Sequence, residues 1–209
     1  MTLLVVAAAR FEAEQSLSVL KSVDPTVEFF ELGVGPLPAA KAEAALLEKC
    51  RGKDVLYIGS CGSFYPFEGL HLTSADEVHW MPPCMRTGIA SYPEEFSMKP
   101  FQCPESPLEL PRKSVLTTPS ISLVDHFAPE VLSIIPHRNS LTENMELYCV
   151  MGALLQARSL HTILGVTNQV GPEGSRQWEA NFREIAKMTA EFISRERNLR
   201  ILLRDPSRS

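Results

Sequence analysis

Apolar residues fall in short runs along this chain, and their spacing predicts strands alternating with helices. Leu3 to Ala9 are apolar without a break, and Val5 and Val6 favour extended backbone, which predicts a buried strand over residues 2–9. Leu17 and Leu20 share one helical face, so residues 12–21 are expected to form a short helix. Weak alternation from Val27 to Leu32 predicts a second strand. An Ala-rich helix is expected from Pro36 to Lys49, with proline in its first turn, where a missing N–H costs nothing. Asp54–Ile58 and Val115–Thr118 have the composition of strands, the latter stopped by Pro119. Met145–Ala157 predicts a buried helix and Thr162–Thr167 a strongly apolar strand. In the last segment Trp178, Phe182, Ile185, Thr189, Phe192 and Ile193 recur at helical spacing, so a long helix is expected from near Ser175. This order predicts an α/β fold of three αβα layers around a central mixed, twisted sheet, as a single domain over residues 1–204.

Composition narrows the picture only modestly. The 209 residues suffice for one hydrophobic core, and 44% hydrophobic with 22% charged residues is ordinary for a globular chain. A formal net charge of −5 does not suit a nucleic-acid partner, which needs clustered Lys and Arg, but it says nothing against a small nucleoside. The N-terminal apolar run is too short to span a bilayer and lacks a basic leader, so neither membrane insertion nor export is expected. Five cysteines without a CxxC pair favour reduced thiols and a cytoplasmic location. No HExxH helix or other stretch implies a metal, a pyridine nucleotide or a flavin. Residues 81–111 are rich in proline and poor in periodicity; they are expected to form an irregular excursion too small for a core of its own.

Four places could carry chemistry: Glu12, the Gly59–Ser60–Cys61–Gly62 stretch read as a turn, Asn144–Met145–Glu146, and Thr167–Asn168. A parallel sheet would gather such positions at one edge. Each also has a plain structural reading. Glu12 and Glu146 could be solvated acids in first helical turns, Asn168 a turn cap, Trp178 a core anchor, and the glycines mere turn residues.

Taken together, these islands resemble the purine nucleoside phosphorylase and nucleosidase superfamily. Glu143–Asn144–Met145–Glu146 is similar to its Glu–X–Met–Glu signature, and Leu164–Gly171 to its base-binding strand and loop. Gly33–Val34–Gly35 followed by Ala39 and Ala40 resembles its glycine turn, and Gly59–Gly62 its Gly–Ser–Ala–Gly stretch. Glu12 stands where the hydrolases place a water-activating glutamate. Arg176 and Trp178 resemble an Arg and a Trp found in futalosine hydrolases, the group most resembled, with methylthioadenosine/S-adenosylhomocysteine nucleosidases second.

The resemblance implies a nucleoside N-ribosyl hydrolase with water as nucleophile and no cofactor. Glu146 would bind the ribose hydroxyls, and Met145 would pack on the ribose. Glu12 would be the general base, with Ser60, Cys61 and Gly62 lining the sugar side. The adenine nucleosidases use an Asp where this chain has Asn168. An Asn cannot supply a proton but can donate an amide hydrogen bond to N7, which suits a 6-oxopurine such as hypoxanthine. Thr167 would assist at the base edge, and Arg176 and Trp178 would support the base loop or an extended substrate. A futalosine-like substrate would place the chain in menaquinone biosynthesis. Family members are homo-oligomers, which implies the same here. A phosphorylase would need cations for phosphate, for which Arg10 and Arg86 are the candidates; a catalytically weak nucleoside-binding protein is the rival of another class. One departure is expected to matter: Leu147, Tyr148 and Cys149 replace the family's small residues after the signature and could narrow the site. The base-stacking aromatic is open among Phe64, Tyr65, Phe101, Phe127 and Tyr148.

Overall fold

The computed structural model describes residues 2–82, 84, 87–88, 99–120, 122–123 and 141–196. Met85, Arg86, Phe127 and the tail from Asp205 lie outside the described residues. Within them, strands and helices run β1 (Leu3–Ala7), α1 (Arg10–Val23), β2 (Glu28–Glu31), α2 (Pro36–Cys50), β3 (Asp54–Ser63), β4 (His71–Trp80), β5 (Phe101–Gln102), β6 (Arg112–Thr117), β7 (Leu141–Asn144), α3 (Leu147–Leu154), β8 (Ser159–Gln169) and α4 (Gly174–Arg195).

The expected α/β architecture is present. β2, β1, β3 and β8 lie side by side and parallel. Alternate side chains of these strands feed opposite layers, as period-2 geometry demands. Leu3, Val5, Leu56, Ile58 and Ile163 pack with Ala13, Leu17 and Leu20 of α1 and Ile193 of α4. Leu4, Val6, Val55, Tyr57 and Leu164 pack on the other face with Leu46 of α2 and Val150 and Met151 of α3. Asp54 joins the starts of β3 and β8, accepting hydrogen bonds from Arg158 at 3.0 and 2.6 Å and from Ser159 at 2.7 Å. No described helix is long and apolar enough to cross a membrane.

The sheet also curls. β1 pairs only with the first half of β3, and the end of β3 pairs antiparallel with β7 through Gly62↔Glu143 and Ser63↔Thr142. Since β8 pairs β4, β4 pairs β6 and β6 pairs β7, five strands close into a ring: β3–β8–β4–β6–β7. The ring carries the end of β7 to the carboxyl ends of β3 and β8.

Three expectations need correction. Gly59–Gly62 is strand, not turn: β3 continues to Ser63, and neither glycine has a positive φ. Their use is close approach, since a Cβ on Gly62 would stand 2.8 Å from the Asn168 amide nitrogen. The helix expected from Met145 begins at Leu147, because Glu143 and Asn144 belong to β7. Part of the Pro-rich excursion is ordered into the sheet: Phe101–Gln102 pairs with β4.

Candidate active site

A cavity of about 190 Å³ opens at the carboxyl ends of the central strands. Its described lining includes Glu12, Ser60, Cys61, Gly62, Glu143, Asn144, Met145, Glu146, Asn168 and Trp178, with Phe11 and Val34 at the mouth. Thus eight of the ten expected site residues meet in one hollow, although they span 167 positions from Glu12 to Trp178.

Glu12 sits in the first turn of α1, three residues after the alanines that leave β1. Its Oε1 accepts hydrogen bonds from the Ser60 hydroxyl at 2.8 Å and the Ser60 backbone N–H at 3.2 Å. Its Oε2 is shut off from solvent and has no hydrogen-bond partner. Burial pushes the Glu12 carboxyl above the ordinary carboxylate range, and the Ser60 hydrogen bonds oppose this. The result is a carboxylate held at one oxygen and vacant at the other. Ser60 is itself held by Trp178, whose indole N–H donates to Ser60 Oγ at 3.0 Å.

Glu146 occupies the junction between β7 and α3 and is only 4% exposed. The reading of Glu146 as a solvated first-turn acid is therefore wrong. Gly35, at φ 92°, turns its N–H onto Glu146 Oε1 at 2.7 Å. Burial, and next the charge of Glu12, raise the Glu146 pKa to about 7. Asn144 organises this junction. Its Oδ1 accepts from the N–H groups of Glu146 (3.0 Å) and Leu147 (2.8 Å), and its Nδ2 donates to the Ser60 carbonyl at 3.1 Å. The signature resemblance gives Asn144 no role of its own; here its amide spans the junction between β7 and α3.

Asn168 enters the cavity through an irregularity. The β3–β8 register shifts between Cys61↔Val166 and Gly62↔Asn168, leaving Thr167 unpaired as a bulge. Strict alternation would have put Asn168 on the Val166 face; the bulge turns it to the face of Ser60. Its amide orientation is set by the Gln169 carbonyl. The Gln169 carbonyl can only accept, so Nδ2 donates to it at 3.1 Å, and the buried Thr167 hydroxyl donates to Oδ1 at 2.8 Å. One amide N–H remains to serve the cavity.

Glu143 also lines the cavity, but both its oxygens are taken by Ser122: Oε2 by the backbone N–H at 3.0 Å and Oε1 by the hydroxyl. Ser122, which sequence reasoning missed, also accepts the Gly171 N–H at 3.2 Å through its carbonyl and so ties the loop after β8 to β7. Nothing local in the sequence signals that role. Thr167 is fully buried behind Asn168 and does not line the cavity. Arg176 points away: its side chain is 81% exposed and pairs with Glu173 at 2.6 Å. The larger residues after the signature do not narrow the hollow. Leu147 is core, Tyr148 packs on Phe101 at 5.0 Å and donates to the Lys99 carbonyl, and neither these nor Cys149 line the cavity. Of the aromatic candidates for stacking, Phe64, Tyr65, Phe101 and Tyr148 are all outside the lining; the aromatics present there are Phe11 and Trp178.

No family model matches the chain, and no curated protein matches it by sequence. Solved structures do. The futalosine hydrolase of Helicobacter pylori is 12% identical with a TM-score of 0.67, over 92% of this chain and 95% of that one. The 5′-methylthioadenosine/S-adenosylhomocysteine nucleosidase of the same organism is 9% identical with a TM-score of 0.66, over 92% and 96%. The corresponding nucleosidase of Chlamydia trachomatis is 16% identical with a TM-score of 0.67, over 92% and 95%. At these identities the likeness establishes a shared fold, one used by nucleoside hydrolases.

Proposed function

We propose that this chain hydrolyses the N-glycosidic bond of a purine ribonucleoside with a 6-oxo base, futalosine-like in class, and releases the free base. The observation that carries the reading is the charge of the cavity wall. Three carboxylates line it (Glu12, Glu143 and Glu146), and among the described lining residues there is no Lys, Arg or His. A phosphate dianion needs converging cationic or N–H donors, and this lining presents acid groups and no cationic side chain. Arg10 offers no help, since its guanidinium lies over the Phe29 ring at 5.4 Å and does not line the cavity. Neutral water needs no such cation, and a sugar becoming cationic as its C1′–N bond breaks is favoured.

In this reading Glu146 accepts hydrogen bonds from the ribose hydroxyls while Gly35 steadies one of its oxygens, and Met145 packs against the sugar. Glu12 takes a proton from water as the water oxygen bonds C1′. The electron pair of the breaking C1′–N bond passes to the base. Asn168 donates its remaining N–H to N7, where negative charge grows, and the departing base then takes a proton from solvent. Ser60, Cys61 and Gly62 form the wall beside the sugar. Arg176 has no part in this scheme. Homo-oligomerisation and a place in menaquinone biosynthesis belong to the same proposal.

The test is a panel of inosine-, adenosine- and guanosine-type nucleosides assayed with and without phosphate, following free base and sugar product. Release of 6-oxopurine base at a rate independent of phosphate is expected. Phosphate-dependent release with a sugar 1-phosphate product, preference for 6-amino bases, or saturable binding without cleavage would each overturn the reading in favour of a different one.

A further inference from the structure

Trp178 carries a relationship that neither a core anchor nor a substrate wall requires. Its ring is fixed on two sides, stacked on Phe182 at 5.1 Å and edge-on to Phe11 at 6.2 Å. So held, its N–H points at Ser60 Oγ over 3.0 Å. An indole nitrogen can only donate, and a serine hydroxyl has one proton to give. With Trp178 occupying a lone pair of Ser60 Oγ, the Ser60 proton is directed to Glu12 Oε1 at 2.8 Å. The Ser60 backbone N–H reaches the same oxygen at 3.2 Å. Oε1 is thereby committed, and Oε2 is left buried and vacant.

We infer that Trp178 is a positioning residue: through Ser60 it fixes which oxygen of Glu12 is free to accept a proton, and it favours the ionised carboxylate. Polarisation along the chain strengthens the Ser60–Glu12 hydrogen bond, since a hydroxyl that accepts one bond donates a better one. The chain runs from α4 through β3 to α1, so the helix that closes the domain edge sets the state of the base. This inference rests on the proposed role of Glu12, but its geometry exists without substrate.

Other titratable groups lie around Glu12 on the neighbouring elements. Glu146 and Glu143 share its cavity from the β7–α3 stretch, and Tyr57 and Cys61 approach from β3. β1 presents only Leu3 to Ala7, none of them titratable, and Arg10 of its own helix is turned to Phe29 and, through its N–H, to Glu31. From α4 the group presented is Trp178 itself, Glu179 being exposed. The readout must therefore separate Glu12 from Glu146.

The chain has two tryptophans, so Trp80→Phe leaves Trp178 as the sole reporter. In that protein the Trp178 emission is followed against pH without any substrate. A titration step is expected that vanishes in Glu12→Gln and in Ser60→Ala and persists, shifted downward, in Glu146→Gln, where one neighbouring charge is gone. No step, or one that survives Ser60→Ala, overturns the inference. Where turnover is found, Trp178→Phe keeps the stack and loses the N–H; kcat is expected to fall about tenfold with KM little changed, and the acid limb of the kcat/KM profile to move up by about half a pH unit. Adding Trp178→Phe to Ser60→Ala should cost nothing further, because the route is already cut; additive losses overturn the inference. Absence of turnover would count against the hydrolase reading alone, since the fluorescence titration stands by itself.

Discussion

The backbone N–H of Gly35 donates to Glu146 Oε1 over 2.7 Å, joining a left-handed turn before α2 to a strand–helix junction 111 residues later. That bond holds one oxygen of a carboxylate otherwise stripped of water.

Glu146→Gln is predicted to abolish turnover, because an amide cannot accept both ribose hydroxyls and adds no negative charge beside the forming cation. The same variant carries a stability signature. A carboxyl whose pKa rises from 4.5 to about 7 on folding binds more protons folded than unfolded between those values. Folding stability therefore declines as pH climbs through that window and stays lower above it. Glu146→Gln, uncharged throughout, should melt higher than the parent at pH 8 and gain little at pH 5, as measured by thermal unfolding at both pH values. Equal shifts at the two would show that Glu146 does not titrate near neutrality.

Glu12→Gln should retain nucleoside binding within a few fold and lose roughly 10²–10⁴ in hydrolysis, the usual range for a missing general base. Calorimetric binding beside single-turnover cleavage separates the two effects. Loss of binding along with cleavage would make Glu12 structural.

Asn168→Asp is expected to shift preference from 6-oxo to 6-amino bases. Thr167 would still donate to one oxygen, while the other, facing the Gln169 carbonyl, would favour the protonated acid, whose single proton would pass from that carbonyl to N7 as the base leaves. The ratio of kcat/KM for an inosine-type and an adenosine-type nucleoside measures this; an unchanged ratio removes the hydrogen-bond argument.

Gly62→Ala probes the close approach. An added Cβ would lie 2.8 Å from Asn168 Nδ2 and 3.1 Å from a Val170 methyl, and Gly62 has no positive φ to complicate the change. Asn168 must move, and a displacement of ~1 Å at a reacting centre can cost on the order of a hundredfold in rate. Cleavage should drop by about that factor while the melting temperature changes far less. A variant with parental kinetics would mean that Asn168 is not held against this strand.

Some of this was readable in order along the chain. The unbroken apolar run at Leu3–Ala7 and the 3.6-residue spacing from Trp178 to Ile193 determine strand and helix by local physics, because each buries one face on a period set by its backbone. Glu12, Met145, Glu146 and Asn168 were recognisable as candidates because the residues around them resemble a known signature. Where sequence reasoning erred, a non-local partner decided. Gly59–Gly62 had the look of a turn, but β8 and β7 pair with it and keep it extended. β4 has weak patterning and takes its form from β6 and β8 on either side.

By itself, then, the amino-acid sequence determined the alternation of elements and the residue types available for sugar and base. The tertiary structure alone decided how they act. The closing of the β3–β8–β4–β6–β7 ring brought Glu146 to within one hollow of Glu12. The bulge at Thr167 turned Asn168 to the Ser60 face, and the stack on Phe182 aimed Trp178 at Ser60 instead of leaving it as core. The Gly35–Glu146 and Trp178–Ser60 hydrogen bonds join residues 111 and 118 positions apart, and no local pattern encodes them.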